Sequence, residues 1–170
     1  MAHPSRILGR WLLAAALGLV LASPAGAGTQ VGQPAEGFTL TSVEGGQSVR
    51  LADLKGKPTL VVFWATWCPP CRKEIPDLKA LHREFGPKGL NLLAVAVAFR
   101  ESKEDVVRFK KDYELPYPVL WDEENRVSEV YGVAGIPTVI LVDPEGVIRY
   151  RQHYLDESLR TLLQTYLPKG

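Results

Sequence analysis

Two cysteines are all the thiols this sequence carries. Structural zinc takes four ligands, so a single pair makes a poor zinc knuckle, and neither a metal nor a cofactor is expected. There is no excess charge either: 20 basic residues stand against 19 acidic, a net of +1. That balance argues against a nucleic-acid partner or a strongly polar substrate surface. No internal repeat, low-complexity tract or linker interrupts the chain, so one domain is expected. No cysteine follows the apolar run near the N-terminus, which excludes a lipoprotein.

That run, Trp11 to Ala22, is preceded by Arg6 and Arg10 and followed by Ala25-Gly26-Ala27. Basic, apolar and small-residue parts in this order are the layout of a signal peptide, here residues 1–27. The run is short for a bilayer span of about 20 residues, so cleavage is preferred over retention of residues 11–27 as a membrane anchor. Removal of Arg6 and Arg10 takes the net charge from +1 to −1. Residues 28–170 are then expected in a periplasmic or other extracytoplasmic compartment, where disulfides can form.

Both cysteines lie in Trp67-Cys68-Pro69-Pro70-Cys71. Upstream, Thr59 to Ala65 is an apolar, β-branched and aromatic run that reads as a buried strand. Downstream, Arg72 to Phe85 has helical spacing, with Ile75, Leu78, Leu81, His82 and Phe85 on one side and Pro76 expected to kink it. The pair therefore sits where a strand enters a helix. Unpaired N–H groups there favour negative charge, and a cysteine is readily held as the thiolate that attacks disulfides.

The rest of the chain reads as follows. Phe38–Thr41 and Ser48–Leu51 alternate about Glu44-Gly45-Gly46, a β-hairpin. Ala52 to Pro58 is a loop. Leu90 to Val97 is nearly all apolar, the mark of an interior parallel strand. Ser102 caps a second helix with Asp105 three residues on, and Val106, Phe109 and Tyr113 trace its buried face. Pro116 to Trp121 is extended, and Glu123 to Tyr131 is a helix stopped by Gly132. Thr138–Val142 and Val147–Arg151 flank the turn Asp143-Pro144-Glu145-Gly146. Leu155 to Leu167 is an amphipathic helix. The expected class is α/β, a mixed sheet with helices on both faces.

Phe63-Trp64-Ala65-Thr66-Trp67-Cys68-Pro69-Pro70-Cys71 resembles the active-site segment of the thioredoxin superfamily. Together with Gly32, Phe38-Thr39-Leu40, Arg72-Lys73-Glu74-Ile75-Pro76, Gly135-Ile136-Pro137-Thr138 and Asp143 to Gly146, it resembles the exported TlpA-like reductases of the ResA/CcmG type. Ala35-Glu36-Gly37-Phe38 departs from the usual Ala-Pro-Asp-Phe, away from the cysteines. The resemblance implies a thioredoxin-like mixed sheet flanked by helices on both faces, with an N-terminal β-hairpin extension and a central α/β insert. It implies a monomeric thiol-disulfide oxidoreductase that reduces exported protein disulfides, as in cytochrome c maturation with apocytochrome c as a client. Its electron donor would be a membrane thiol transporter of the CcdA/DsbD kind.

Within that frame Cys68, which precedes the helix and is expected to be the more exposed thiol, is the nucleophile. Cys71 is the resolving thiol, and the two form a redox-active disulfide. As a purely structural bridge the pair would close a tiny loop, where loop entropy stabilises least. Pro69 and Pro70 carry no N–H, which limits the donors to a Cys68 thiolate and points to a reducing pair. Thioredoxin-like proteins often carry an acid six residues before the first cysteine; here that position is Val62. Glu74, one turn beyond Cys71, resembles the acid of the ResA-like branch and is assigned proton transfer, against the blander reading of an exposed acid at a helix start. Pro137 is identified with the superfamily's cis-proline, and Trp67, Ile136 and Pro137 are the expected substrate contacts. Trp64 is expected to pack beneath the site, and His82 to be structural. Glu101 and Glu104 read as solvated, and His153 has no evident partner.

Two other classes fit the same residues less well. A peroxiredoxin-type peroxidase shares the fold and the Phe-Thr-Leu opening, but sets its cysteine in Thr-x-x-Cys. Here Thr66 is two residues before Cys68, not three. A chaperone-like binding module would have no use for an intact cysteine pair.

Overall fold

The computed structural model describes residues 29–167. The signal peptide expected over residues 1–27, and its anchor alternative, lie outside them. Among the described residues no helix is long and apolar enough to cross a membrane.

Seven strands form one sheet: β1 Thr39–Ser42, β2 Ser48–Arg50, β3 Thr59–Trp64, β4 Asn91–Val97, β5 Val119–Asp122, β6 Thr138–Val142 and β7 Ile148–Gln152. Four α-helices accompany them: α1 Pro69–Phe85, α2 Lys103–Asp112, α3 Arg126–Val130 and α4 Glu157–Tyr166. The sheet order is β2-β1-β5-β4-β3-β6-β7. β3, β4 and β5 run parallel, and the other pairings are antiparallel. This is the thioredoxin-like mixed sheet: the β1–β2 hairpin extends one edge, and α2 with β5 forms the insert.

Every residue of β3 is buried, as expected of a central strand covered on both sides. Its side chains alternate between faces. Val62 and Trp64 meet Cys71, Ile75 and Leu78 of α1, and the Trp64 ring lies 5.3 Å from that of Phe109 in α2. The Phe63 ring points the other way, 5.6 Å from that of Tyr131 at the end of α3. α4 joins α1 through an ion pair between Arg160 and Glu84. Full burial of a Leu, Val or Phe side chain contributes roughly 1.5–3 kcal/mol, so β3 is the strand least free to shift, and it leads directly into Cys68.

Three expectations about element boundaries need correction. Helix α1 starts at Pro69, not Arg72, with Cys68 as its N-cap. Proline is favoured in a first turn, where its fixed φ suits the helix and its missing N–H would be unpaired anyway. The loop after the first hairpin opens with a 3₁₀ turn, Leu51–Leu54. The helix expected over Glu123–Tyr131 is α-helical only at Arg126–Val130. Buried Asp122 accepts the N–H groups of Val127 and Ser128, and the chain reaches that cap through left-handed Glu124 and Asn125.

Candidate active site

Cys68 and Cys71 are joined, with S–S 2.11 Å and Cα–Cα 5.3 Å. Strand β3 delivers the chain to Ala65, whose carbonyl accepts the Cys68 N–H at 3.2 Å. Helix α1 then begins with Cys68 Sγ accepting the Cys71 N–H, also at 3.2 Å. Pro69 and Pro70 contribute no donors, so the sulfur is stabilised by the Cys71 N–H and by the field of a 17-residue helix. The expectation that Cys68 is the more exposed thiol does not hold: Cys68 is 2% exposed and Cys71 3%. What sets Cys68 apart is its N-cap position at the start of α1.

The Ile136–Pro137 bond is cis. The Ile136 carbonyl oxygen lies 3.7 Å from Cys68 Sγ. With the pair oxidised this is a contact, since the sulfur has no hydrogen; a Cys68 thiol could donate across it. Thr138 Oγ1 donates to Gly135 O at 2.7 Å. His153 Nδ1 lies 3.1 Å from Pro137 O, and as a carbonyl only accepts, the imidazole donates from Nδ1. His153 thus has a partner that the sequence did not reveal.

Glu74 is buried, 9% exposed. It lines a narrow apolar pocket with Cys71, Val62, Trp64, Tyr117 and Pro137. Its Oε1 accepts the Leu155 N–H at 2.7 Å, and its Oε2 has no hydrogen-bond partner among the described residues. Burial raises the carboxyl above its ordinary value of 4.5, the Leu155 N–H offsets this in part, and Asp77 adds to it. The bland reading of an exposed acid at a helix start fails on this geometry. Val62, six residues before Cys68, faces the same pocket as Glu74.

Glu101 was expected to be solvated and is half-buried. Its Oε2 accepts the Thr66 N–H at 2.9 Å and the Thr66 hydroxyl as well. Its Oε1 is buried without a partner among the described residues, and burial raises its carboxyl despite the Thr66 hydrogen bonds. Glu104 is exposed, as expected. Trp67 is 41% exposed, and its indole N–H donates to Phe99 O at 2.6 Å. Trp64 packs beneath the site, and half-buried His82 lies edge-on to Tyr117. Thr66, Phe99 and Glu101 are the site neighbours that the sequence did not reveal. Phe99 and Glu101 lie between β4 and α2, in a segment with no periodicity, so the only signal was an acid and an aromatic in a short loop.

The described residues hold no cluster of three or more His, Cys, Asp or Glu able to bind a metal ion. The arrangement suits thiol–disulfide exchange: a sulfur at a helix start, a second sulfur one turn in, a buried carboxyl behind it and a main-chain edge beside it.

The chain is similar to known proteins. Residues 31–151 match the AhpC/TSA family. Over 140 residues the chain is 34% identical to the thiol-disulfide oxidoreductase ResA of Bacillus cereus, an alignment covering 82% of this chain and 78% of that one. It is 41% identical over 123 residues to the thioredoxin-like protein YneN of Bacillus subtilis, covering 72% and 71%. Its fold is similar to the thioredoxin domain of a thiol-disulfide oxidoreductase from Bacteroides vulgatus, with TM-score 0.71 and 33% identity, covering 81% of this chain and 98% of that one.

Proposed function

The chain belongs to the AhpC/TSA family and is a thiol-disulfide oxidoreductase of thioredoxin fold, homologous to ResA, and on that premise we propose that it is a reductant of disulfides in exported proteins. In this reading residues 1–27 are a signal peptide and residues 28–170 a single thioredoxin-like domain outside the cytoplasm. The observation that carries the proposal is the Cys68–Cys71 pair at the start of α1 with buried Glu74 behind it.

The proposed reaction begins with the reduced protein. The Cys68 thiolate attacks one sulfur of the substrate disulfide, forming a mixed disulfide and releasing the other sulfur as a thiolate. Cys71, its proton passing to Glu74, attacks Cys68 Sγ and releases the second substrate sulfur. The substrate gains two electrons and two protons, one from Glu74 and one from the water that took up the Cys68 proton, and the protein is left with the Cys68–Cys71 disulfide. A membrane thiol donor of the CcdA/DsbD type would return two electrons. Trp67 and the main chain of Ile136 and Pro137 receive the substrate segment by strand-like pairing. Apocytochrome c, with its paired cysteines, is the proposed client.

Replacement of Cys71 by serine blocks resolution, so Cys71→Ser expressed in the native compartment should accumulate mixed disulfides through Cys68, identifying client and donor by mass spectrometry. Absence of such adducts, or their persistence when Cys68 is also replaced, would overturn the proposal. Peroxide consumption at turnover rates would favour a peroxidase instead, and full cellular function of Cys68→Ser a binding module.

A further inference from the structure

Among the described residues few large apolar side chains are exposed, and two of them touch each other beside the redox pair. Trp67 adjoins Cys68 in the chain, and Phe99, 50% exposed, comes from the loop between β4 and α2. Their ring centroids are 5.9 Å apart at an interplanar angle of 65°. The guanidinium of Arg100 lies 5.0 Å from the Phe99 centroid.

Three features make this more than a chance exposure. The Trp67 N–H, the only polar atom of its side chain, is already bonded to Phe99 O, so the indole offers a partner apolar surface and π-face alone. The loop is fixed at two points to the residues just before Cys68, by Phe99 O to Trp67 and by Glu101 to Thr66. Rings held in place lose little freedom on binding, which favours affinity. Trp67 also adjoins Cys68, whose sulfur lies 3.7 Å from the Ile136 carbonyl oxygen.

We propose that Phe99 and Trp67 form a docking platform for an apolar side chain close to the attacked cysteine of an extended substrate segment. This rests on the protein-disulfide reductase reading above and names the chemical class of its substrates. An extended chain advances about 3.3 Å per residue with side chains alternating, so the docked side chain lies one or two residues from the cysteine. Two rings bordered by Arg100 are far short of the roughly 800 Å² per partner that a stable dimer needs, so a peptide, and not a second copy of the chain, is the occupant.

The test uses two synthetic disulfide peptides that differ only in leucine or glycine beside the cysteine, mixed with the pre-reduced protein. The parent should reduce the leucine peptide about tenfold faster, a difference on the scale of a single anchoring side chain. In Phe99→Ala the ratio should fall to about twofold. Its main-chain carbonyl remains to hold Trp67, and an exposed side chain is not needed for folding. Phe99→Leu should restore most of the preference. Equal rates in the parent, or a preference unchanged in Phe99→Ala, would overturn the platform while leaving the reductase reading intact. Failure of the parent to reduce either peptide would overturn both.

Discussion

Replacement of Glu74 by glutamine preserves size and leaves an amide oxygen to accept the Leu155 N–H, but removes the ionisable proton. The carboxyl is raised by burial, so the folded protein binds this proton more tightly than the unfolded chain does. Its contribution to stability is therefore full below the ordinary value of 4.5 and declines as pH rises through the raised folded value. Glu74→Gln abolishes that decline. Relative to the parent, the variant should gain stability as pH rises across this window and match it at lower pH. A buried polar group without a partner costs about 1–3 kcal/mol, more when charged, and the glutamine amide is itself left unpaired, so the net gain at neutral pH should be about 1 kcal/mol. For a domain of this size that is a rise of about 3 °C in Tm. Catalysis should move the opposite way. Positioned proton transfer contributes about 10²–10⁴-fold, so resolution of a preformed mixed disulfide should slow by about 10²-fold in Glu74→Gln. Thermal melts of the oxidised protein from acid to neutral pH, and rapid-mixing release of a fluorescent substrate thiol, read the two effects separately. A variant more stable at neutral pH but unimpaired in resolution would leave Glu74 as a costly packing residue and refute the proton-transfer role.

Other consequences are more direct. With the Cys71 N–H and the helix field as its support, the Cys68 thiol of the reduced protein should titrate below a free cysteine but well above the extreme oxidants; thiolate absorbance in the ultraviolet measures this, and a value near 3.5 would contradict a reducing pair. Glu101→Ala removes the acceptor from both the N–H and the hydroxyl of Thr66, and should destabilise the fold by about 1–3 kcal/mol in chemical denaturation. It should also alter Trp67 fluorescence, since the loop that holds the indole loses its second attachment; an unchanged spectrum would show that the Trp67 bond alone holds the loop.

The legible parts of the chain were those in which local pattern and global fold agree. The apolar runs of β3 and β4, the Ser102–Asp105 capping box and the Asp143 to Gly146 turn each state their structure within a few residues. Asp143 itself binds the N–H groups of Glu145 and Val147 inside that turn. The illegible parts depend on partners far along the chain. Nothing near Glu101 announces that its acceptor role lies 35 residues away at Thr66, and nothing near His153 announces Pro137. Exposure of the two cysteines misled for a related reason. Position at a helix start suggests access, but the Ile136–Pro137 segment, 68 residues on, closes over Cys68. The α3 region misled because Asp122 caps the helix from the end of a strand, a role set by sheet register and invisible to helical periodicity.

Glu74 and Glu101 share a design that separates them from the other acids. Each uses one oxygen to hold a main-chain N–H of another segment, Leu155 ahead of α4 and Thr66 ahead of Cys68. Each leaves its second oxygen buried and unpaired among the described residues, and burial raises each carboxyl. Stability alone would not select a carboxyl at either place, because a glutamine would hold the same N–H without the cost of a buried charge. Both adjoin one short motif, Glu74 beside Cys71 and Glu101 on Thr66, two residues before Cys68. Buried, perturbed carboxyls concentrated at one place mark a site where charge or proton position matters more than packing. Their roles differ in what the carboxyl touches. Glu74 lines a pocket with Cys71, whose thiol loses a proton in the proposed reaction, whereas Glu101 is bonded to Thr66 and sits in the loop that carries Phe99. Loss of Glu74 should therefore appear in the resolution step, and loss of Glu101 in which peptides are reduced.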